Sequence, residues 1–158
     1  MCFDNLLCTL EVCLQTVKDA VQATVVGIQM VHKEESWPLN FAYGGQVACT
    51  PLPRRTTHSG GNQKIVLVES KGRKMPQVHC GYVPLSRQVV CVERRGGLDV
   101  VIQAYKKSGD VGAEGCVHFK AQSCQMNRQQ CIVGQAQVTV TVAWSAVPTE
   151  MDLLVYDF

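Results

Sequence analysis

The stretch that most constrains the fold is 137–144, where apolar and polar side chains alternate strictly. Three valines and a tryptophan occupy one set of positions, and glutamine, threonine and alanine occupy the other. Because successive side chains of a β-strand point to opposite faces, this alternation predicts a strand with one buried face and one exposed face. A strand cannot bury an apolar row alone, so other segments of the chain must supply an opposing layer.

Most of the remaining chain has strand-like patterns separated by turns rich in Gly and Pro. The predicted strands are 23–31, 41–49, 63–69, 77–83, 87–94, 98–105, 115–122, 131–144 (with a break or bend near Gly134) and 152–157. The strands 87–94 and 98–105 meet at a Gly-Gly turn, which predicts a hairpin. The pattern indicates a mainly β fold, an antiparallel two-sheet sandwich, and the strand number matches that of a jelly roll.

Residues 4–22 have a different periodicity, with apolar side chains recurring every three and four positions. This spacing predicts an amphipathic α-helix, for which Asp4 or Asn5 could cap the first turn. We therefore expect a single domain over 1–158, in which the helix at 4–22 packs on or beside a β-sandwich formed by 23–158.

The composition indicates a globular protein and excludes a strongly charged one. Apolar residues make up 46% and charged residues 18%, and the net charge is +2. Residues 1–5 lack the features of a secretory signal, and the nine cysteines are an odd number. Mostly free thiols in an intracellular, cytoplasmic setting are expected, or a virion if the chain is virus-encoded. There is no run of about 18 apolar residues, so no membrane span is expected.

The basic residues concentrate in or beside predicted turns, which makes them candidates for binding nucleic acid through its phosphates. The candidates are Arg54, Arg55, Lys71, Arg73, Lys74, Arg94, Arg95, Lys106 and Lys107. Alternation of the connections between the two ends of a sandwich predicts that the turns 71–74 and 94–97 share one end, and the loops 51–62 and 106–114 the other. Simple solvation of turn charges is the alternative, because these loops lack aromatic residues for base stacking.

The cysteines and histidines suggest two further chemistries, neither with a recognised spacing. One is a zinc set of the form C-x-H-x5-C-x6-C, built from Cys116, His118, Cys124 and Cys131. It lacks the C-x2-4-C turn with which zinc clips generally begin, so no metal site is predicted. Cysteine catalysis would need a His in reach, and the neighbours His79 and Cys80 would point to opposite faces of a strand. No catalytic residue and no cofactor are therefore assigned.

Two apolar features allow more than one interpretation. Trp37, Phe41 and Tyr43 form the densest aromatic patch, which either closes the core or offers an exposed platform for a glycan or peptide. The run 153–158 is apolar on both faces, as in a buried strand or in a tail that adds to the sheet edge of a neighbouring subunit.

The favoured hypothesis is a non-enzymatic structural or self-assembly protein, such as a viral coat-type subunit. It would form a homo-oligomer and face nucleic acid with its basic turns. The alternative is a monomeric binding module, for RNA through the basic turns or for a glycan or peptide through the aromatic patch. A cysteine-dependent enzyme is the third hypothesis.

Overall fold

The computed structural model describes residues 2–4, 9–11, 19–31, 41–54 and 63–147, and most of them lie in β-strands. The strands are Cys2–Asp4 (β1), Thr9–Glu11 (β2), Ala20–Val31 (β3), Gly44–Leu52 (β4), Ile65–Lys71 (β5), Val89–Glu93 (β6), Gly97–Tyr105 (β7), Val111–Lys120 (β8), Gln125–Val133 (β9) and Ala136–Ala146 (β10). Among the described residues, β1 and β2 pair only with each other.

The eight longer strands form two antiparallel four-stranded sheets. Sheet 1 has the order β6-β3-β10-β9, and sheet 2 has the order β5-β4-β7-β8. The predicted mainly β, antiparallel two-sheet fold is confirmed. The jelly-roll arrangement is not the one found. A jelly roll places most consecutive strands in opposite sheets, whereas here β4–β5, β7–β8 and β9–β10 are hairpins within one sheet.

The core lies between the two sheets and forms one contiguous apolar cluster. The valines predicted to be buried in β10 are 0% exposed, and its tryptophan is 4% exposed: Val138, Val140, Val142 and Trp144. Sheet 2 contributes fully buried side chains to the same cluster, among them Val47, Leu98, Val100 and Ile102. The period-two alternation that the sequence shows is therefore the alternation between core and solvent.

The predicted helix at 4–22 is absent from the described residues. Part of that segment is strand, in β1, in β2 and at the start of β3, and 5–8 and 12–18 lie outside the described residues. Asp19 has a φ of 49°, a left-handed conformation that a right-handed helix cannot include. Val21 is not the end of a helical stripe but the first buried residue of β3, because packing between sheets outweighs a weak helical periodicity.

The strand prediction near 77–83 also needs correction, whereas the break predicted near Gly134 is confirmed. Residues 77–83 contain a 3-10 turn at His79–Gly81, and Tyr82 forms an isolated bridge with Gln29 of β3. The segment predicted as strand over 131–144 breaks at Gly134 as expected, where φ is 62°, and its two parts form the hairpin of β9 and β10. The predicted strand at 152–157 lies outside the described residues.

The predicted hairpin of 87–94 with 98–105 is wrong, although its turn is present. The Gly96 N–H donates a 2.8 Å hydrogen bond to Glu93 O, which closes the turn. However, β6 belongs to sheet 1 and β7 to sheet 2, so the turn carries the chain across the sandwich. A Cβ at Gly96 would lie 2.0 Å from Leu52 O, so glycine is needed here for close backbone approach.

Candidate functional site: a basic end of the sandwich

Strand register brings five of the predicted basic residues to one end of sheet 2. β4 aligns Gly44 with Lys71 of β5, and it aligns Gly45 with Ala104 of β7. The turns that follow β5 and β7 therefore lie at the same end, about 10 Å apart across β4. We call this the basic end, and it is defined by Lys71, Arg73, Lys74, Lys106 and Lys107, all of which are exposed.

This grouping differs from the predicted one. The turn 71–74 shares its end with the turn after β7, and not with 94–97. Arg94 and Arg95 lie at the opposite end with Arg54, because β4 aligns Leu52 with Gly97. The prediction failed because it counted 77–83 as a strand, and one strand too many reverses the end assigned to every later turn. Arg55 lies outside the described residues.

At the opposite end, internal partners already hold several of the charged and polar groups. Arg94 Nε donates a 2.7 Å hydrogen bond to Asp19 Oδ1, and Arg94 also contacts Ser123. The backbone N–H of Arg54 donates a 3.3 Å hydrogen bond to Glu93 Oε2. Of the arginines at the opposite end, Arg94 therefore already has internal partners for its guanidinium, whereas the hydrogen bond at Arg54 is made by its backbone.

The basic turn after β5 is held in place by backbone contacts. Ser70, which is 3% exposed, donates its hydroxyl to Arg73 O at 3.1 Å. The Gly72 N–H donates a 3.1 Å hydrogen bond to Tyr43 O. Gly72 has a φ of 67° and nothing within 4 Å of a Cβ, so the turn projects into open space. These bonds hold the backbone that carries Arg73 at the tip of a fixed turn.

The same contacts place an aromatic residue beside the basic turn. Tyr43 is 42% exposed, whereas Phe41 is 0% exposed and belongs to the core. The Met75 N–H donates a 3.1 Å hydrogen bond to Phe41 O, so the segment before β4 and the turn after β5 are linked at two points. The aromatic patch thus divides between core and surface, and Trp37 lies outside the described residues. Sequence reasoning missed this neighbour because only the pairing of β4 with β5 brings it to the turn.

A hydrogen-bonded carboxylate moderates the charge of the basic end. Lys71 Nζ lies 3.3 Å from Glu69 Oε1, which also accepts hydrogen bonds from Tyr105 Oη at 2.9 Å and from Gln46 Nε2 at 3.1 Å. The bond from Tyr105 is the main reason that the pKa of Glu69 lies below 4.5. Burial, with the hydrogen bond and charge of Glu69, raises the pKa of Tyr105 to about 12. Glu69 is therefore charged at neutral pH and offsets part of the charge of Lys71.

The turn after β7 presents its two lysines differently. The Lys106 N–H donates to Asp110 O at 2.8 Å, and the Gly109 N–H donates to Lys106 O at 2.9 Å, which closes the turn. Within the described ranges, the salt bridges do not include Lys106, Lys107 or Arg73. Three cations of the basic end are thus available to an external anion.

The Cys/His pattern falls on the outer face of sheet 2. Cys116 and His118 are exposed while Val117 is buried, as the period-two pattern predicts. His118 Nδ1 lies 2.6 Å from Asp99 Oδ1, but Cys131 is partly buried on β9 of the other sheet. In the described part of the chain, no three His, Cys, Asp or Glu side chains form a group that could hold a metal ion. The four residues of the zinc pattern therefore do not assemble.

The same face does not favour cysteine catalysis. Burial, followed by the charges of Asp99 and Glu114, raises the pKa of Cys116. A nucleophilic cysteine needs the opposite shift, since the thiolate is the reactive form. Cys91 lies on β6 of sheet 1, on the other side of the sandwich from His118.

The fold and the basic end together define a mainly β protein of two antiparallel sheets with a cationic, tyrosine-bearing end. Residues 1–142 match the family described as Domain of unknown function (DUF6598), and the chain belongs to that family. Among curated proteins, no match to the chain was found. Within the ranges that the structure describes, no helix is long and apolar enough to cross a membrane.

Proposed function

We propose that the protein is a non-enzymatic binding module that holds single-stranded nucleic acid, RNA above all, at its basic end. The observation that carries this proposal is the exposed Tyr43, whose backbone carbonyl accepts a hydrogen bond from Gly72 in the turn that bears Arg73. Modules of this type combine a cationic surface for the phosphates with an aromatic ring on which a base can stack. The basic end supplies both.

The expected mode of binding is largely electrostatic and independent of base sequence. Arg73, Lys106 and Lys107 would contact phosphates, while Tyr43 would stack on a base. With three to five phosphate contacts, log K should fall with log salt at a slope of roughly −2 to −3.5 on a single strand. A glycan or an uncharged peptide bound to the same tyrosine would show little salt dependence, which separates these alternatives.

The test is the fluorescence anisotropy of a labelled single-stranded RNA titrated with protein over a series of salt concentrations. The double variant Lys106→Ala/Lys107→Ala should weaken binding and reduce the salt slope by about 1.4. The matched control is Arg54→Ala/Arg95→Ala, which removes the same charge from two exposed residues at the opposite end. Equal losses in both double variants, or no salt-dependent binding by the wild type, would overturn the proposal.

A second candidate function is self-association as a structural subunit, including the coat-type subunit expected from the sequence. It is supported by the outer face of β9 in sheet 1, where Met126 and Ile132 are each 61% exposed. Surfaces with few charges and exposed apolar side chains are typical of the centre of protein interfaces. Light scattering coupled to gel filtration tests it, and a monomer at all concentrations would contradict it.

An intracellular setting forms part of both candidates. Six cysteines of the described residues are free thiols: Cys49, Cys80, Cys91, Cys116, Cys124 and Cys131. Burial raises the pKa of Cys49 to about 11, so this thiol behaves as a small apolar core residue. Free thiols are typical of reducing compartments.

A further inference from the structure

We propose that two copies of this chain associate by antiparallel pairing of β9 with β9 at the edge of sheet 1, over residues 126–132 and about a two-fold axis at Gln129. This inference rests on the self-association given above as the second candidate function, and it names the surface and the register. The nucleic-acid surface at the basic end is not part of it.

Of the four edge strands, β9 carries the fewest features that prevent edge-to-edge pairing. β6 has five residues. The pairing of β5 with β4 is irregular between Val47 and Ala48, and that of β8 with β7 is irregular between Ala104 and Tyr105. Short strands, bulges and charged side chains are the usual means by which proteins protect their edges. β9 has nine residues in continuous register with β10, no proline, and Arg128 as its one charged residue.

The edge is also held in position for pairing. In the described residues, β9 has β10 as its one hydrogen-bonded strand neighbour. The Gln129 side chain donates a 2.6 Å hydrogen bond to His118 O of β8, which ties the middle of β9 to sheet 2. Most of its residues are exposed on both faces. A second strand can therefore add to an edge that is already ordered.

The side chains of β9 are self-complementary in one register. Met126 and Ile132 are both 61% exposed and lie three residues on either side of Gln129, on the outer face. Antiparallel pairing about Gln129 sets Met126 opposite Ile132 of the second copy, and two-fold symmetry repeats the contact. The same register sets Arg128 opposite an uncharged residue, Gln130.

Neighbouring registers lose this match. An axis at Arg128 would place the two Arg128 side chains directly opposite each other, and like charges in that position are destabilising. An axis at Gln130 would set Ile132 opposite Arg128 and leave Met126 facing the turn at Gly134. The pattern of charge and exposure therefore selects the axis at Gln129.

The register can be tested by disulfide trapping. In the double variant Met126→Cys/Ile132→Cys, the introduced thiols of two copies would face each other across the interface, at the Cα separation that disulfides accept. Within one chain the two positions are about 20 Å apart, so they cannot bond to each other. Non-reducing electrophoresis should show a covalent dimer that reductant dissolves. The single variants Met126→Cys and Ile132→Cys should match the wild type, which controls for the native cysteines.

Light scattering on the same proteins separates the possible failures. The wild type should be dimeric, Met126→Lys/Ile132→Lys should be monomeric, and Val89→Lys on the opposite edge strand should remain dimeric. A wild-type monomer at all concentrations would overturn both self-association and this interface. A wild-type dimer without a double-variant crosslink, or with equal crosslinking in the single variants, would overturn the β9 pairing alone. A Met126→Lys/Ile132→Lys variant that remains dimeric would also overturn it.

Discussion

The hydroxyl of Tyr105 donates a 2.9 Å hydrogen bond to Glu69 Oε1, and so links β7 to β5 over the intervening strand β4. This bond lowers the pKa of Glu69 and helps to raise the pKa of Tyr105 to about 12. It fixes the outer face of sheet 2 beside the basic end. Its stabilising effect must therefore depend on pH.

The Tyr105→Phe variant should have a lower free energy of unfolding than the wild type, and the difference should be largest at neutral pH. The lowered pKa of Glu69 stabilises the fold above its ordinary value of 4.5, and this effect is lost as the pH falls through the folded pKa. The raised pKa of Tyr105 stabilises below its ordinary value of 10, and the effect is lost as the pH rises towards about 12. Urea denaturation of both proteins between pH 3 and 11 measures the difference. A difference that stays constant from pH 7 down to pH 3 would contradict the assignment.

Tyr43→Leu should weaken the binding of single-stranded RNA while leaving thermal stability nearly unchanged. Loss of one base–aromatic stack costs about 1–3 kcal/mol, and the side chain is already 42% exposed. Tyr43→Phe keeps the ring and should keep most of the affinity. Anisotropy titrations at one salt concentration compare the three proteins. Equal affinity of the leucine variant and wild type would remove Tyr43 from the site.

Val142→Ala should destabilise the protein through its position between the sheets. Val142 is 0% exposed, so the loss of two buried methyl groups costs about 1.5–3 kcal/mol. Val89→Ala is the matched control, since Val89 is 55% exposed and the change should stay within about 0.5 kcal/mol. Chemical denaturation gives both values, and similar losses at the two positions would contradict the burial of Val142 between the sheets.

Gly96→Ala should cost more stability than Gly109→Ala. A Cβ at Gly96 would lie 2.0 Å from Leu52 O, and backbone must shift to relieve it. We expect a loss of about 3 kcal/mol or more, in the range of severe packing and strain effects. Gly109 has a φ of 90° and open space around a Cβ. Alanine at this position therefore meets no clash, and the stability loss is that of holding a non-glycine residue at positive φ, about 1–2 kcal/mol. Thermal denaturation ranks the two variants, and the reverse order would be inconsistent with this turn.

Prediction from sequence succeeded where a strand has one buried face and failed over most of the edge strand β9. In residues 137–144 the alternation of apolar and polar side chains identified the buried face correctly, because the side chains of β10 point alternately to the core and to solvent. Residues 125–130 of β9 gave no such signal, since an edge strand exposed on both faces can be polar throughout. The sequence also predicted the turn at Gly96. A glycine indicates a turn or a close approach of the backbone, but it does not indicate which sheet the next strand joins.

The sequence by itself determined the mainly β class, the burial of the β10 row, and the exposure of the cationic turns, because these follow from local alternation and charge. Only the tertiary structure decided which turns share an end, since that depends on pairings such as Gly44 with Lys71 across many residues. It also brought Tyr43 to Gly72 and left β9 as an edge. Local periodicity cannot encode such neighbours, because the energy of strand pairing comes from contacts between segments that are distant in the chain.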